Sequence, residues 1–110
     1  MKDIILLRHG DTEATENGYF AGWSDIPLSK KGEKRILLAK EWLKDYKFLE
    51  VWSSPLTRTQ QTTKIVMNSN HSILYTGDLK ERSFGKWEGK CWEELEEAYP
   101  DQVKKWKESP

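Results

Sequence analysis

The chemistry that this sequence can perform begins where its first apolar run ends. Ile4-Ile5-Leu6-Leu7 is followed at once by Arg8, His9 and Gly10. Four consecutive aliphatic residues predict a strand buried on both faces, as in the interior of a parallel sheet. Ligands of open α/β sheets bind beyond the carboxyl ends of the strands, where these three residues would lie. Three such common residues carry weight only if other anion-binding groups reach the same edge.

Arg58 is the second residue whose position suggests chemistry. Ser54 and Pro55 predict the start of a helix, with Ser54 as its N-cap and Pro55 in its first turn. A cation near this end opposes the helix macrodipole. One interpretation is a solvated arginine that carries a small penalty. The other is an anion bound between the guanidinium and the helix N-terminus, since both are phosphate ligands. Adjacent parallel strands would bring Arg8 and Arg58 to one edge.

Two arginines around one imidazole indicate phosphoryl transfer. A neutral histidine can attack phosphorus and carry the group covalently. The two arginines would neutralise the phosphoryl oxygens and help to keep His9 unprotonated. A general acid must then protonate the leaving alkoxide. Glu81 is the first candidate, because it lies in an irregular segment rather than on a glutamate-rich helix. Spacing alone leaves Glu88 and Asp11 as weaker alternatives.

The elements that would position these residues alternate between strands and helices. After the first strand and a long loop over 11–28, periodicity predicts a helix over about 30–46, capped by Ser29. The following segments are a strand over 48–53, a helix from 54 to about 67, a strand over 72–76, an irregular segment over 77–90 and two helices separated by Pro100. This order predicts the α/β class with a mainly parallel sheet.

Composition restricts the class of protein. A chain of 110 residues supports one small domain, and its 18 Lys and Arg balance 18 Asp and Glu, so nucleic acid is not expected as a partner. No apolar run is long enough for a membrane span or a signal peptide, which favours a cytoplasmic enzyme or binding domain. A single cysteine, Cys91, excludes an intramolecular disulfide and is expected to be a passive thiol. Most of the six tryptophans are expected to be packing residues.

Four segments, in order, resemble the histidine phosphatase superfamily, which includes the cofactor-dependent phosphoglycerate mutases. They are Leu7-Arg8-His9-Gly10-Asp11-Thr12, Gly22-Trp23-Ser24-Asp25-Ile26-Pro27-Leu28-Ser29, the segment 53–62 around Arg58, and the segment 79–89 around Glu81. The resemblance implies a three-layer α/β/α fold and no metal or organic cofactor. It also implies roles for six residues: His9 as the phosphorylated nucleophile, Glu81 as the proton donor, Arg8 and Arg58 as catalytic ligands of the phosphoryl group, and Thr15 and Gly22 as further substrate-binding residues.

The substrate implied by this resemblance is a small-molecule phosphomonoester. The run 84–89, followed by Tyr99-Pro100 and Trp106, is closer to the phosphatase branch than to the mutases. Within that branch the chain looks most like the α-ribazole phosphatases of cobalamin synthesis, with fructose-2,6-bisphosphatase-like enzymes next. A phosphoglycerate mutase is the alternative within the superfamily.

Two departures from the family pattern affect the interpretation. Thr15 stands where many members have asparagine, although its hydroxyl can also bind phosphate. The second catalytic histidine, which members carry well beyond the general acid, has no counterpart, because the only other histidine is His71. Residues 1–110 therefore look like the N-terminal portion of a single domain. Such a portion would expose an apolar strand edge, which predicts association or poor stability if these residues are the entire polypeptide. A non-catalytic phosphate-binding role is the alternative to catalysis.

Overall fold

A computed structural model describes residues 3–67 and 71–109, which form helices and two short strands. In those residues the order is α1 (Glu13–Asn17), α2 (Lys30–Leu43), β1 (Val51–Ser53), α3 (Thr57–Val66), β2 (Ile73–Tyr75), α4 (Trp92–Ala98) and α5 (Pro100–Glu108). Two 3₁₀ turns, Gly77–Leu79 and Gly85–Trp87, interrupt the segment predicted to be irregular. None of the described helices is long and apolar enough to cross a membrane.

The sheet of the described residues is a pair of parallel strands. β1 and β2 pair in the register Val51 to Ile73 and Ser53 to Tyr75. Parallel neighbours need a crossover between them, and α3 supplies it. The α/β class with a parallel sheet is confirmed, although β1 is shorter than the predicted strand over 48–53.

The segment 4–7 departs most from the predicted fold. It belongs to no strand, and its exposure alternates: Ile4 and Leu6 are 86% and 91% exposed, whereas Ile5 and Leu7 are 40% and 43% exposed. This alternation is typical of an extended chain with one face turned inward. The prediction of a strand buried on both faces is wrong for this chain, because no described segment hydrogen-bonds along either edge. An open gap of about 140 Å³ separates Ile5 and Leu7 from β1 and α3.

Helix α2 begins at its predicted N-cap and packs on α3. The Ser29 hydroxyl accepts a hydrogen bond from Gly32 N at 3.0 Å. The helix ends at Leu43 rather than at the predicted position 46, because the chain turns there. Tyr46 N donates to Leu43 O at 3.1 Å, and the Tyr46 ring stacks on Phe48.

The segment 11–28 was predicted to be a loop, but it contains α1. Thr12 caps this helix: its hydroxyl accepts from Thr15 N at 3.3 Å, while the Thr15 hydroxyl accepts from Thr12 N at 2.8 Å. Gly18, with φ of 73°, ends the helix in the left-handed conformation that favours glycine. A helix of five residues is too short to produce an apolar period, so only the capping pattern could have indicated it.

Helix α3 begins at Thr57 rather than at the predicted Ser54 cap and Pro55. Asp25, from a distant loop, takes the capping role: Thr57 N and the Thr57 hydroxyl donate to its two carboxylate oxygens at 2.6 and 2.8 Å. These two hydrogen bonds lower the pKa of Asp25. The Ser54 prediction failed because a carboxylate from another part of the chain binds the first N–H group of the helix, that of Thr57, and a charged acceptor binds an N–H more strongly than a hydroxyl does.

The C-terminal helices pack against an aromatic cluster. Leu95 of α4 and Val103 of α5 are buried. The ring centroids of the cluster lie 4.9 to 6.2 Å apart, and its members are Phe20, Phe84, Trp87, Trp92 and Trp106. The expectation that tryptophans serve packing is therefore confirmed for the three tryptophans of this cluster. It is wrong for Trp23, Trp42 and Trp52, which are all more than half exposed.

Candidate active site

The imidazole of His9 is held by the backbone of the next residue. His9 Nδ1 lies 2.6 Å from Gly10 O. A carbonyl oxygen can only accept, so we assign the proton to Nδ1, which leaves Nε2 with a lone pair. Gly10 is itself fixed, because its N–H donates to the Thr62 hydroxyl at 3.0 Å. The orientation of the His9 imidazole is thus fixed by its own hydrogen bond and by the one that holds Gly10.

The surroundings of His9 favour its neutral form. Burial is the largest influence and lowers the pKa from the ordinary value of 6.5. The hydrogen bond to Gly10 opposes this effect, Arg58 and Arg8 add to it, and Glu81 opposes it. All three charged side chains act on the same imidazole. The structure therefore brings the predicted nucleophile, the two predicted arginines and the predicted acid into one neighbourhood.

We expect NMR titration of His9 to give a midpoint below 6.5, and Arg8→Gln to move this midpoint upward. Removing the cation relieves the repulsion that disfavours imidazolium. Because the folded state binds this proton less readily than the unfolded chain, the stability linked to His9 is complete above 6.5 and declines as the pH falls below it. Lys34→Gln, on the exposed side of α2, is the matched control. A wild-type midpoint above 6.5 would contradict this account.

A cavity of about 220 Å³ opens beside His9, several times the roughly 30 Å³ that a water molecule occupies in the liquid. Arg35 of α2, which the sequence analysis did not single out, donates to Asp11 Oδ2 at 3.0 Å at this cavity. Asp11 is thus committed to an ion pair, which weakens its case as the acid. The residues that line the cavity are Arg8, His9, Gly10, Asp11, Thr15, Arg35 and Ile36.

Thr15 lines this cavity, but its hydroxyl is already engaged. It donates to Thr12 O at 3.0 Å and accepts from Thr12 N at 2.8 Å. Only its second lone pair remains, and a lone pair does not bind an anion. To bind phosphate, the Thr15 hydroxyl would have to exchange its bond to the Thr12 carbonyl, so its substrate-binding role stays a prediction.

Arg58 is 2% exposed and is bound by loop carbonyls. Its Nη1 donates to Ser24 O at 2.8 Å, and its Nη2 donates to Gly22 O at 2.5 Å and Ala21 O at 3.2 Å. A guanidinium has five N–H groups. Among the described residues, the Nε–H and one Nη1–H of Arg58 have no acceptor. Arg58 does not line the cavity beside His9, so its role as a ligand of the phosphoryl group stays a prediction.

The loop bound by Arg58 is bound on its other side by Glu88. Glu88 Oε1 accepts from Gly22 N at 2.7 Å, from Ser24 N at 2.9 Å and from the Ser24 hydroxyl at 3.0 Å. Burial opposes ionisation of this carboxyl, but the hydrogen bonds outweigh burial and lower its pKa. A carboxylate held in this way is not a proton donor, which argues against Glu88 as the general acid. The Gly22 N–H is committed as well, so its substrate-binding role stays a prediction.

Glu81 is exposed and lies at the start of the segment that packs on this loop. Its Oε1 accepts from Arg82 N at 2.9 Å, and its charge acts on both His9 and Arg58. A Cβ on Gly22 would lie 2.0 Å from Arg82 O, so only glycine allows this approach. The close contact fixes the backbone beside Glu81, whose role as proton donor stays a prediction.

Comparison with known proteins agrees with this arrangement. The chain is 35% identical over 104 residues to the uncharacterized phosphatase PhoE of Bacillus subtilis, covering 94% of this chain and 54% of the relative. It is 33% identical over 139 residues to a 2,3-bisphosphoglycerate-dependent phosphoglycerate mutase of Methanococcus vannielii, covering 99% and 59%. The alpha-ribazole phosphatase from Shigella flexneri superposes with a TM-score of 0.84 at 28% identity, covering 91% and 50%.

The chain thus spans about half the length of the relatives that it matches. This agrees with its resemblance to an N-terminal portion and with the unpaired segment 4–7. The family model of the histidine phosphatase superfamily, branch 1, matches residues 4–110. The chain therefore belongs to the histidine phosphatase superfamily.

Proposed function

We propose that this chain carries the nucleophile-bearing, N-terminal portion of a single-domain, metal-independent phosphomonoester hydrolase. The observation that carries the proposal is the orientation of His9. Its Nδ1 is anchored on Gly10 O at 2.6 Å, while burial and two arginines favour the neutral ring. A neutral, oriented imidazole is what attack on phosphorus requires.

The reaction would proceed in two displacements. His9 Nε2 attacks the phosphorus atom, an N–P bond forms and the ester P–O bond breaks. Glu81 supplies the proton to the departing alkoxide. Water then attacks the phosphohistidine, an O–P bond forms, the N–P bond to His9 breaks, and the Glu81 carboxylate takes a proton from the water as phosphate leaves. Arg8 and the two unengaged N–H groups of Arg58 would stabilise the negative charge on the phosphoryl oxygens in both steps.

Within this class, the substrate that we propose is α-ribazole 5'-phosphate. The sequence run 84–89 and the likeness to the Shigella flexneri alpha-ribazole phosphatase support it. A place in cobalamin synthesis and a cytoplasmic location would follow. The Methanococcus vannielii phosphoglycerate mutase, at 33% identity, supports phosphoryl transfer between substrate positions as the alternative. The exposed segment 4–7 would lead the 110-residue chain to self-associate.

A second candidate is phosphate binding without turnover. The observation in its favour is that no histidine follows Glu81 in this sequence. The pocket would then keep its arginines and its nucleophile but lack one of the groups that members use to complete it.

The test is to incubate the chain with an aryl phosphate in EDTA, stop the reaction in alkali, and look for phosphate on the protein by ³¹P NMR and peptide mass spectrometry. We expect free phosphate and an acid-labile phosphorylated His9, because the N–P bond of a phosphoramidate is stable in base. Loss of turnover in EDTA would overturn the metal-independent mechanism. Binding of inorganic phosphate without release or labelling would establish the second candidate.

A further inference from the structure

We infer that Glu88 is a positioning residue, which holds the phosphate-binding guanidinium of Arg58 in place through the loop formed by residues 21–24. We call this segment the bridging loop. The placement of Arg58 follows from the geometry alone, and its consequence for phosphate affinity rests on the proposed function.

The bridging loop presents opposite backbone groups to the two charged side chains. Gly22 donates its N–H to Glu88 and accepts from Arg58 on its carbonyl. Ser24 does the same, and its hydroxyl adds a third donor to Glu88. The same two residues therefore connect the anion to the cation. The Ala21–Gly22 peptide group is bonded at both ends, because its N–H donates to Glu88 and its carbonyl, Ala21 O, accepts from Arg58, so each bond polarises this peptide in the direction that strengthens the other.

The carboxylate of Glu88 is well placed for this role because its own backbone is fixed beside the loop. Gly89 N donates to Phe20 O at 2.7 Å, and Phe20 N donates to Lys90 O at 3.0 Å. These bonds directly follow Glu88 in its own segment and directly precede the bridging loop in the other. The loop makes one backbone hydrogen bond to the residues that follow it, from Ile26 N to Ser24 O. Glu88 therefore accepts the three hydrogen bonds that the Gly22 N–H, the Ser24 N–H and the Ser24 hydroxyl donate, and in this way it helps to determine where the loop carbonyls lie.

The charges of the site also indicate that the placement of Arg58 depends on Glu88. Arg58 is buried, and a buried guanidinium needs both acceptors and a nearby negative charge. Glu88 is one of three carboxylates that favour its charged form, with Asp25 and Glu81. Of these three carboxylates, only Glu88 also binds the residues whose carbonyls accept from Arg58, namely Gly22 and Ser24. Without its charge, the loop is free to rotate its carbonyls away, and Arg58 loses both its acceptors and its direction toward His9.

Two variants test this inference at different strengths. Glu88→Gln removes the charge but keeps the shape, and Ser24→Ala removes one donor to Glu88 while keeping the carbonyl that binds Arg58. Glu97→Gln, exposed on α4, is the matched control. The probe is orthovanadate, a phosphate analogue, measured by calorimetry. We expect affinity to fall about tenfold in Glu88→Gln and about threefold in Ser24→Ala, with no change in the control.

A double-mutant cycle separates positioning from general destabilisation. If Glu88 acts through Arg58, Glu88→Gln should weaken vanadate binding far less when Arg58 is already alanine. Equal losses in the two backgrounds would overturn the inference, as would unchanged affinity in Glu88→Gln.

The Arg58 Nε–H resonance in NMR tests the positioning role of Glu88 without any ligand. We expect a dispersed, slowly exchanging signal in the wild type, a signal displaced in Ser24→Ala, and one near the unstructured position in Glu88→Gln. If wild type binds no vanadate, the proposed function fails, yet this resonance still tests the positioning role. An Arg58 signal that is unchanged in Ser24→Ala and in every folded Glu88 variant would overturn the inference.

Discussion

Replacing Arg58 with alanine is expected to cost both phosphate affinity and stability. The side chain donates to three carbonyl groups in a buried setting. Removing it leaves those acceptors without their donor and leaves Asp25 and Glu88 without the cation between them. Leaving these carbonyls without their charged donor should destabilise by about 2–5 kcal/mol. Loss of a preorganised donor to a phosphoryl oxygen should lower activity or affinity by about 100-fold or more.

Urea denaturation and vanadate titration measure the two losses separately. Arg35→Ala is the matched control, because Arg35 lines the cavity beside His9 but is exposed and donates only to Asp11 among the described residues. An exposed ion pair contributes about 0–1 kcal/mol, so its removal should barely change stability. Similar losses in the two variants would contradict the central role assigned to Arg58.

The parts of the site that sequence predicts are those carried by adjacent residues. Arg8, His9 and Gly10 are neighbours in the chain, so the end of one extended segment delivers all three, and the His9 anchor is made by the next residue. The contribution of Glu88 could not be derived in this way. Its partners Gly22 and Ser24 lie 64 to 66 positions away in the chain, and a glutamate in a glycine-rich turn has the same local pattern whether it donates a proton or accepts three hydrogen bonds.

The same difference between local and distant contacts decides which parts of the fold could be predicted. Helix α2 was predicted with its correct cap because Ser29 binds its own helix. The start of α3 was not, because Asp25 reaches it from across the molecule. The segment 4–7 illustrates a different limit. Its apolar residues indicate that the segment is suited to a buried position. Its actual burial depends on neighbouring strands, which the described residues do not provide.

Gly32→Ala is expected to destabilise the chain, although the same substitution in an exposed helix stabilises by about 1 kcal/mol. Gly32 lies in the first turn of α2, against the backbone of Asp11. A Cβ there would lie 2.0 Å from Asp11 O and 2.9 Å from Asp11 N. These are backbone atoms, so no rotamer change can relieve the contact, and either the helix or the segment that carries His9 must move. We expect a loss of about 3 kcal/mol.

Gly18→Ala is the matched control for this prediction. Gly18 has φ of 73°, but nothing lies within 4 Å of the Cβ that alanine would add, so only the left-handed backbone penalty of roughly 1–2 kcal/mol applies. Because Asp11 follows Gly10, whose carbonyl orients the imidazole, Gly32→Ala should also displace the His9 resonances in NMR, whereas Gly18→Ala should leave them in place. A Gly32→Ala chain with wild-type stability and an unchanged His9 spectrum would show that α2 does not fix the nucleophile.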